Sequence, residues 1–339
     1  MAFRGILIEK SAQGAQHASL RELDLAQLPP GEVTVRISHS TLNFKDALAI
    51  TGQSPVVRAF PLVPGIDFAG TVEHSTHADF RPGDRVIGGG AGIGESAWGG
   101  LAELARVHAD GLVLLPSSLS ARDAMAIGTA GFTAMLCVMG LEAHGVLPEK
   151  GPVLVTGASG GVGSFSVSLL ARLGYRVIAS TGRLAEAPYL QALGASEIID
   201  RSELSSPGKA LGKERWAGAI DSVGSHTLAN ACACTMRGGS VAACGLAQGM
   251  DFPATVAPFI LRGVNLLGVD TPGKSRAERT VTWQRLASLA EPSWFRDIAA
   301  PEKDIPLDAA IAAAKTVLAG QVRGRLVVQV KQEHSQEYA

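Results

Sequence analysis

The amino-acid sequence predicts an α/β protein in which a doubly wound parallel sheet is joined to a second domain rich in β-strands. The first observation is the length of 339 residues, which is enough for two domains of about 150 residues. The second is that residues 1–125 contain mostly short strand-like segments. The third is that strand-like and helix-like segments alternate from about residue 153, which is typical of a parallel sheet covered by helices.

The first domain is predicted from its alternating segments. Residues 33–38 alternate apolar and polar side chains, which indicates a half-buried strand. Segments 65–72 and 84–87 predict further short strands, and Arg-Pro-Gly-Asp at 81–84 is typical of a turn. A last strand at 325–330 is expected to return to this domain.

The second domain begins with an apolar segment. Residues 123–139 are apolar on nearly all sides, which predicts a buried helix. The strands expected after it are 153–156, 176–180, 197–200, 217–221, 239–243 and 264–269, with helices at 162–173 and through 190–193. Further helices are expected at 280–289 and 308–318. We therefore predict a β-rich domain from residues 1–125 and 271–339, and a parallel-sheet domain from residues 126–270.

Composition excludes several classes of protein. The 30 basic and 31 acidic residues give no basic excess, so we expect no nucleic-acid partner. No run of about 20 apolar residues predicts a membrane span, and the N-terminus lacks a secretion signal. The four cysteines are interpreted as small core residues of a protein in a reducing compartment, and are Cys137, Cys232, Cys234 and Cys244. We expect a cytoplasmic protein without a membrane partner.

A glycine-rich turn at 153–164 is the strongest local signal. It carries Ala158, Gly160 and Gly163 in an AxGxxG pattern, after an apolar strand and at the start of a helical segment. A side chain at Gly160 would block a pyrophosphate, and one at Gly163 would push the helix off the strand. The free N–H groups and positive end of such a helix suit phosphate. The pattern indicates a dinucleotide site in a Rossmann fold, and a purely structural turn is the alternative.

The next strand indicates which dinucleotide is bound. NAD sites usually place a carboxylate at the end of this strand, where it binds the ribose hydroxyls. Here the strand ends with Ser180, Thr181, Gly182 and Arg183, and a guanidinium with small hydroxyls suits a 2′-phosphate. Arg201 follows the third strand and is a second candidate. The pattern predicts NADPH, although a solvated role for either arginine remains open.

The order of the two domains resembles the medium-chain dehydrogenase/reductase superfamily over essentially the whole chain. Its zinc-dependent members carry a Cys, a His and a third ligand in motifs that match this sequence at Asn43, Ile66 and Ala130. Asparagine, isoleucine and alanine do not provide the N and S ligands of tetrahedral zinc. No cysteine precedes residue 137, so the structural zinc lobe is missing as well. The resemblance implies a GroES-like first domain, and we predict that no metal is bound.

Within the superfamily, eight segments resemble the quinone oxidoreductase-like branch and, more narrowly, the bacterial NADPH-dependent acrylyl-CoA reductases. These segments are 42–52, 64–70, 98–103, 127–139, 157–164, 216–221, 241–246 and 258–262. The resemblance implies reduction of the C2=C3 double bond of acryloyl-CoA to propanoyl-CoA. A general NADPH-dependent quinone or enone reductase and an NADPH-binding sensor with little turnover are the alternatives.

The resemblance also implies cofactor contacts, although Phe44 stands where the family usually has tyrosine. The implied contacts are Phe44, Ser159, Gly160, Gly161, Val162, Thr181, Gly182, Arg183, Arg201, Leu246, Ile260 and Thr271. Ordinary core packing is the alternative for Leu246 and Ile260. The phenylalanine ring excludes proton transfer from position 44, because it carries no hydroxyl.

Catalytic candidates come from the Asn-Phe-Lys-Asp segment at 43–46. Lys45 occupies the position of a proton-relay hydroxyl in the zinc relatives and is the candidate proton donor, with a solvated or Asp46-paired lysine as the alternative. The candidates for stabilising an enolate oxygen are backbone N–H groups, the Asn43 amide and the ribose hydroxyl of the cofactor, and Asp46 is expected to orient its neighbours. Lys274, Arg276 and Arg279 are candidates for the phosphates of an acyl-CoA substrate. Residues 264–269 are expected to pair with a second copy, giving a homodimer.

Overall fold

The computed structural model describes residues 2–330, apart from the side chains of Pro292, Ser293 and Phe295. The described residues form two compact units. Unit 1 takes its residues from Met1–Thr129 and Pro272–Ala339, and unit 2 is Ala130–Thr271.

The described strands and helices are numbered in chain order. The strands are β1 (Ala2–Lys10), β2 (Gln16–Asp24), β3 (Val33–Thr41), β4 (Asp67–Ser75), β5 (Arg85–Gly89), β6 (Leu104–Val107), β7 (Leu112–Leu114), β8 (Val153–Val155), β9 (Val177–Thr181), β10 (Ala195–Asp200), β11 (Trp216–Asp221), β12 (Thr235–Ala243), β13 (Asn265–Gly268), β14 (Ile305–Pro306) and β15 (Val327–Gln329). The helices are α1 (Phe44–Thr51), α2 (Ala121–Ala143), α3 (Gly161–Arg172), α4 (Ala187–Ala192), α5 (Ser225–Ala233), α6 (Ala257–Arg262), α7 (Arg276–Leu289), α8 (Pro292–Ile298) and α9 (Ala310–Leu318).

Unit 1 is built on a seven-stranded sheet in the order β14-β15-β3-β4-β5-β7, with β6 also paired to β3. Strand β3 points Val33, Val35 and Ile37 into the core, as the alternating pattern predicts. Strand β15 pairs antiparallel with β3, with Val327 opposite Thr41, so the prediction that the last strand returns to this domain is confirmed. Strands β1 and β2 form a separate antiparallel hairpin.

Unit 2 is a six-stranded parallel sheet in the order β10-β9-β8-β11-β12-β13. This is the strand order of the dinucleotide-binding Rossmann fold, and the order reverses between β8 and β11. Ligands of such sheets bind beyond the carboxyl ends of the strands at that point. The predicted fold class, a doubly wound parallel sheet with a β-rich GroES-like domain, is confirmed.

Two helices differ from the sequence-based expectations. Helix α7 begins at Arg276 because Ser275 caps it and accepts from the Glu278 N–H, whereas the apolar pattern starts only at residue 280. Helix α2 is interrupted at Gly128, whose φ of 48° is a left-handed conformation that glycine tolerates. Helix α2 is also long and apolar enough to cross a membrane, but 78% of its most apolar window is buried, as in the core helix of a globular protein.

The interpretation of the cysteines is correct for two of the four. Cys137 and Cys232 are buried, whereas Cys234 and Cys244 are only half-buried. Cys234 follows the last residue of α5, and Cys244 follows the last residue of β12, so both lie where an element reaches the surface.

Candidate active site

The glycine-rich turn connects β8 to α3 in unit 2. A Cβ on Gly163 would lie 2.2 Å from the Gly157 carbonyl oxygen and 2.6 Å from Ala158 Cα, so only glycine lets the helix approach the turn this closely. At Gly160 a Cβ would meet only the Gly157 oxygen, at 3.3 Å. The N-terminus of α3 at Gly161 and Val162 is half-buried, and its first N–H groups have no acceptor within the helix. The turn therefore fits a phosphate on its open side.

The end of β9 lies beside this turn. Ser159 Oγ is 3.1 Å from Thr181 Oγ1, and both side chains are buried. Arg183 donates from Nη2 to Ser159 Oγ at 3.0 Å and to the Ser159 carbonyl at 3.2 Å. A Cβ on Gly182 would lie 2.5 Å from Arg201 Nε, so the second arginine packs over this glycine. Two guanidinium groups thus lie at the end of β9, an arrangement that suits a 2′-phosphate.

Four other predicted cofactor contacts lie elsewhere in the fold. In unit 2, Leu246 is 55% exposed and Ile260 is 72% exposed, so the alternative that they are core residues is wrong. Thr271 is buried, and its hydroxyl lies 2.9 Å from that of Thr133 on α2. In unit 1, the ring of Phe44 is 51% exposed at the start of α1, where it is free to contact a ligand.

The catalytic candidates in unit 1 form a buried hydrogen-bond network. Asp46 Oδ2 accepts from the Asn43 backbone N–H at 2.9 Å, and Asp46 Oδ1 accepts from the Ile66 N–H at 2.9 Å. Burial raises the pKa of Asp46 from 3.8 to about 6, and the charge of Asp67 acts in the same direction. The bonds fix the start of α1 against the segment that precedes β4.

The assignment of the Asn43 amide to enolate stabilisation is not supported by its contacts. Its Nδ2 donates to Asp46 Oδ2 at 3.0 Å and to Asp67 Oδ2 at 2.8 Å. A side-chain amide has two N–H groups, and both are used here. Asn43 therefore bridges two carboxyl groups, which is a positioning role.

Asp67 is the centre of a charged cluster that the sequence analysis missed. It accepts at Oδ2 from the Thr129 N–H and at Oδ1 from the Thr129 hydroxyl, at 2.8 and 2.7 Å. Arg325 is buried close by and donates from Nη2 to Thr41 Oγ1 at 2.8 Å. Burial lowers the pKa of Arg325 and of Arg279, while the charge of Asp67 raises both. The available signal was an aspartate at the first position of β4, directly before the apolar residues Phe68 and Ala69.

Glycines allow this cluster to pack. A Cβ on Gly128, the residue that interrupts α2, would lie 2.7 Å from Arg325 Nη2 and 3.0 Å from Asp67 Oδ2. A Cβ on Gly90 would lie 2.6 Å from Arg279 Nη1. The close approach of backbone to guanidinium at both positions requires glycine.

The structure contradicts the candidate role of Arg279 in binding CoA phosphates. Arg279 is only 5% exposed, because it packs beside Asp67 rather than on the surface of α7. Lys274 lies 3.0 Å from Glu278, and Arg276 is paired with Asp79. These two cations remain near the surface but are already paired.

Lys45 is paired with Glu95 rather than with Asp46, and its side chain remains 38% exposed. Its Nζ lies 2.8 Å from Oε1 of Glu95, which sequence reasoning did not single out. Ile66, at the position of the zinc-ligating histidine, is buried and apolar. Within residues 2–330, no group of three or more His, Cys, Asp or Glu side chains could hold a metal ion.

Two family models match the chain in succession. The alcohol dehydrogenase GroES-like domain matches residues 29–117, within unit 1. The zinc-binding dehydrogenase model matches residues 161–288, most of which lie in unit 2.

Two of the proteins that are similar over almost the whole chain are named as acrylyl-CoA reductases. "Probable acrylyl-CoA reductase AcuI" of Escherichia coli is 50% identical over 327 residues, which cover 96% of this chain and 99% of that protein. "Acrylyl-CoA reductase AcuI" of Ruegeria pomeroyi is 48% identical over 332 residues, which cover 97% of this chain and 99% of that protein.

Solved structures agree with the fold over the same length. The yhdH oxidoreductase from Salmonella enterica in complex with NADP has a TM-score of 0.94 and 49% identity, and covers 97% of this chain and 100% of its own. The protein yhfP from Bacillus subtilis with NAD bound has a TM-score of 0.93 and 43% identity, with the same coverage. The chain therefore belongs to the medium-chain dehydrogenase/reductase superfamily, in the quinone oxidoreductase-like branch that includes the acrylyl-CoA reductases.

Proposed function

We propose that this protein is an NADPH-dependent reductase of the C2=C3 double bond of acryloyl-CoA, with propanoyl-CoA as the product. The observation that carries the proposal is the identity of about 50% to acrylyl-CoA reductases along nearly the entire chain. The arrangement of unit 2 supports the cofactor, because a phosphate-binding turn and two arginines meet at the end of β9.

Different residues of this chain are proposed to bind different parts of the cofactor. The α3 N-terminus with Ser159, Gly160, Gly161 and Val162 would hold the pyrophosphate, and Arg183 with Arg201 would hold the 2′-phosphate. When bound, NADPH supplies a hydride for C3 of the substrate. Phe44, Leu246, Ile260 and Thr271 remain proposed contacts, and the exposure of the first three leaves them accessible.

The second substrate carbon, C2, needs a proton. Lys45 is the proposed donor, because its ammonium group is half-buried at the start of α1. Asn43 and Asp46 hold this end of the helix in place through their mutual hydrogen bonds. No step requires a metal, since the former ligand positions 43, 66 and 130 are Asn, Ile and Ala.

The test compares substrates. With NADPH in excess, we expect kcat/KM for acryloyl-CoA to exceed that for 1,4-benzoquinone by at least about 100-fold. We expect turnover to survive exhaustive chelation. A quinone kcat/KM equal to or above that for acryloyl-CoA would favour a general quinone reductase. No turnover with either would favour an NADPH-binding sensor.

Cofactor selectivity is tested at Arg183. A hydrogen bond to a charged group contributes about 1.5–3 kcal/mol, so Arg183→Ala should weaken NADPH binding by roughly 10- to 150-fold. NADH, which lacks the 2′-phosphate, should bind nearly as before. Arg201→Ala should act in the same direction but less strongly. The dissociation constants are measured by fluorescence titration, and equal loss for both cofactors would contradict the assignment.

We further infer a homodimer formed through β13. Among the described strands, β13 lies at the edge of the six-stranded sheet and pairs with β12, and an open edge can pair with a second copy. Exposed apolar side chains lie on and beside it, namely Ile260, Leu261 and Leu266. Balanced charge and the burial of α2 support a cytoplasmic enzyme without a nucleic-acid or membrane partner.

If the protein is a dimer through β13, a charged substitution on this strand should halve the mass of the particle in solution. Leu266→Lys places a charge on the edge strand, so sedimentation should show a monomer in place of the wild-type dimer. Leu114 is the matched control, because it is an exposed leucine on β7, one of the two edge strands of the seven-stranded sheet. Leu114→Lys should leave the mass unchanged, and a monomeric wild type would refute the inference.

A further inference from the structure

We propose that Glu95 is a positioning residue that holds the Lys45 ammonium group in place for proton donation to the substrate. This inference rests on the proposed function of Lys45. Lys45 Nζ and Glu95 Oε1 are 2.8 Å apart, and the Glu95 side chain is only 16% exposed, compared with 38% for Lys45. The attraction between these two charges is screened less than that of an exposed ion pair, because the Glu95 carboxylate is largely buried.

The loop that carries Glu95 has a tightly bonded backbone. The N–H groups of Glu95, Ser96 and Ala97 all donate to the Gly92 carbonyl, at 2.9–3.0 Å. The Glu95 carbonyl accepts from the Arg58 N–H at 2.8 Å. The carboxyl group of Glu95 is therefore presented from a backbone that is fixed on both sides.

The same loop is held against the segment that binds Asp46. A Cβ on Gly94, whose φ is 74°, would lie 2.9 Å from the Gly65 carbonyl carbon and 3.0 Å from Ile66 N. The Ile66 N–H in turn donates to Asp46 Oδ1. Asp46 follows Lys45 in α1, so a closed chain of contacts joins the backbone of Lys45 to the carboxylate that binds its side chain.

Lys45 needs such a partner for two physical reasons. Its four-carbon side chain is flexible, and a proton donor must be held within reach of the accepting atom. It is also the second residue of α1, where the positive end of the helix dipole disfavours a cation. The Glu95 carboxylate restricts the flexible side chain and provides a negative charge that compensates for the positive end of the helix dipole. Arg58 Nη2 lies 3.8 Å from Glu95 Oε2 but is 72% exposed, so it competes weakly.

The proton step balances without a further reactant. An ammonium group has three N–H bonds, and the bond to Glu95 uses one of them. After a hydride has reached C3, the electron pair of the enolate forms the C2–H bond with a proton from Lys45 Nζ. Lys45 is left as a neutral amine and takes up one proton (H⁺) from the bulk solvent, which is the proton that the overall reduction consumes. Glu95 keeps its charge throughout and transfers no proton.

The test uses Glu95→Gln, which keeps the shape of the side chain and removes its charge. General acid catalysis accelerates a reaction by about 10²- to 10⁴-fold. A misplaced donor should lose part of this acceleration, so we expect kcat to fall about tenfold. KM for NADPH should not change, and the solvent deuterium isotope effect on kcat should rise. Glu95→Asp should recover part of kcat. The control is Glu103→Gln, which breaks the pair with Arg4 in the same unit and should leave kcat unchanged.

A second readout does not depend on turnover. In the protein without substrate, the Lys45 ammonium protons, followed by ¹⁵N NMR, should exchange with water faster in Glu95→Gln than in Glu103→Gln. Equal exchange in the two variants overturns the proposal, as does a Glu95→Gln kcat and isotope effect equal to those of wild type. If wild type fails to reduce acryloyl-CoA, the proposed function fails, and the NMR comparison still decides whether Glu95 holds Lys45.

Discussion

Replacing Gly163 by alanine is expected to destabilise unit 2 and to weaken NADPH binding at least about 100-fold. The added Cβ would lie 2.2 Å from the Gly157 oxygen and 2.6 Å from Ala158 Cα, and neither backbone atom can move without displacing α3 from β8. Overpacking of this kind costs about 1–3 kcal/mol, and a backbone clash this short belongs at the upper end. The displaced turn would also misalign the α3 N–H groups that are proposed to bind the pyrophosphate, and a loss of about 3 kcal/mol in such contacts is roughly a 100-fold loss of affinity.

Gly160→Ala is the matched comparison on the same turn. A Cβ there meets only the Gly157 oxygen, at 3.3 Å, so the free protein should accommodate it with little change in Tm. NADPH binding should still weaken, because the methyl group would occupy space that the pyrophosphate approaches. Calorimetry and fluorescence titration measure the two effects. Normal NADPH affinity in Gly163→Ala would refute the packing argument, and normal affinity in Gly160→Ala would refute the placement of the phosphates.

Replacing Arg325 by methionine is expected to lower the free energy of unfolding by about 3–5 kcal/mol at pH 7, the usual result of removing one partner from a buried charged group. Arg325 is only 5% exposed, and the charges of Asp67 and Asp46 both favour its protonated form. Methionine fills similar space but leaves both carboxyl groups with less positive charge nearby. Denaturant unfolding followed in wild type and variant measures the loss.

The same variant predicts a pH dependence. The pKa of Asp46 is about 6 in the folded protein and 3.8 ordinarily, so its contribution to stability is greatest below pH 3.8 and is lost as the pH rises through about 6. At pH 7 the negative charges of Asp46 and Asp67 lack the positive charge of Arg325 in this variant, whereas at pH 5 Asp46 is mostly protonated and needs that charge less. The loss in the free energy of unfolding caused by Arg325→Met should therefore be smaller at pH 5 than at pH 7.

Arg276→Met is the control for this experiment. Arg276 pairs with Asp79, which is 55% exposed, and exposed pairs contribute little to stability. We expect its unfolding curve to match that of wild type. An Arg325→Met variant as stable as Arg276→Met would show that the buried cluster does not depend on this guanidinium.

The sequence by itself determined the architecture and predicted the nucleotide site. Alternating β and α segments, together with apolar periodicity, predicted the parallel sheet of unit 2, because these patterns depend on neighbours a few residues apart. The phosphate turn and the end of β9 were predicted for the same reason, since glycine spacing and the missing carboxylate are local features. The β1–β2 hairpin was missed because most of β2 is not buried and its pattern carries no clear alternation.

Only the tertiary structure decided which charged groups of unit 1 meet. Asp67 and Arg325 are far apart in the sequence, and Glu95 lies 50 residues from Lys45. No periodicity connects such positions, because their contact depends on how β4, α1 and the C-terminal part of the chain pack. Burial then makes each unpaired charge costly, so the folded chain brings the carboxylates and guanidinium groups together. The contact of Asn43 with Asp46 is a local capping box, whereas that requirement placed Asn43 against Asp67 and Lys45 against Glu95.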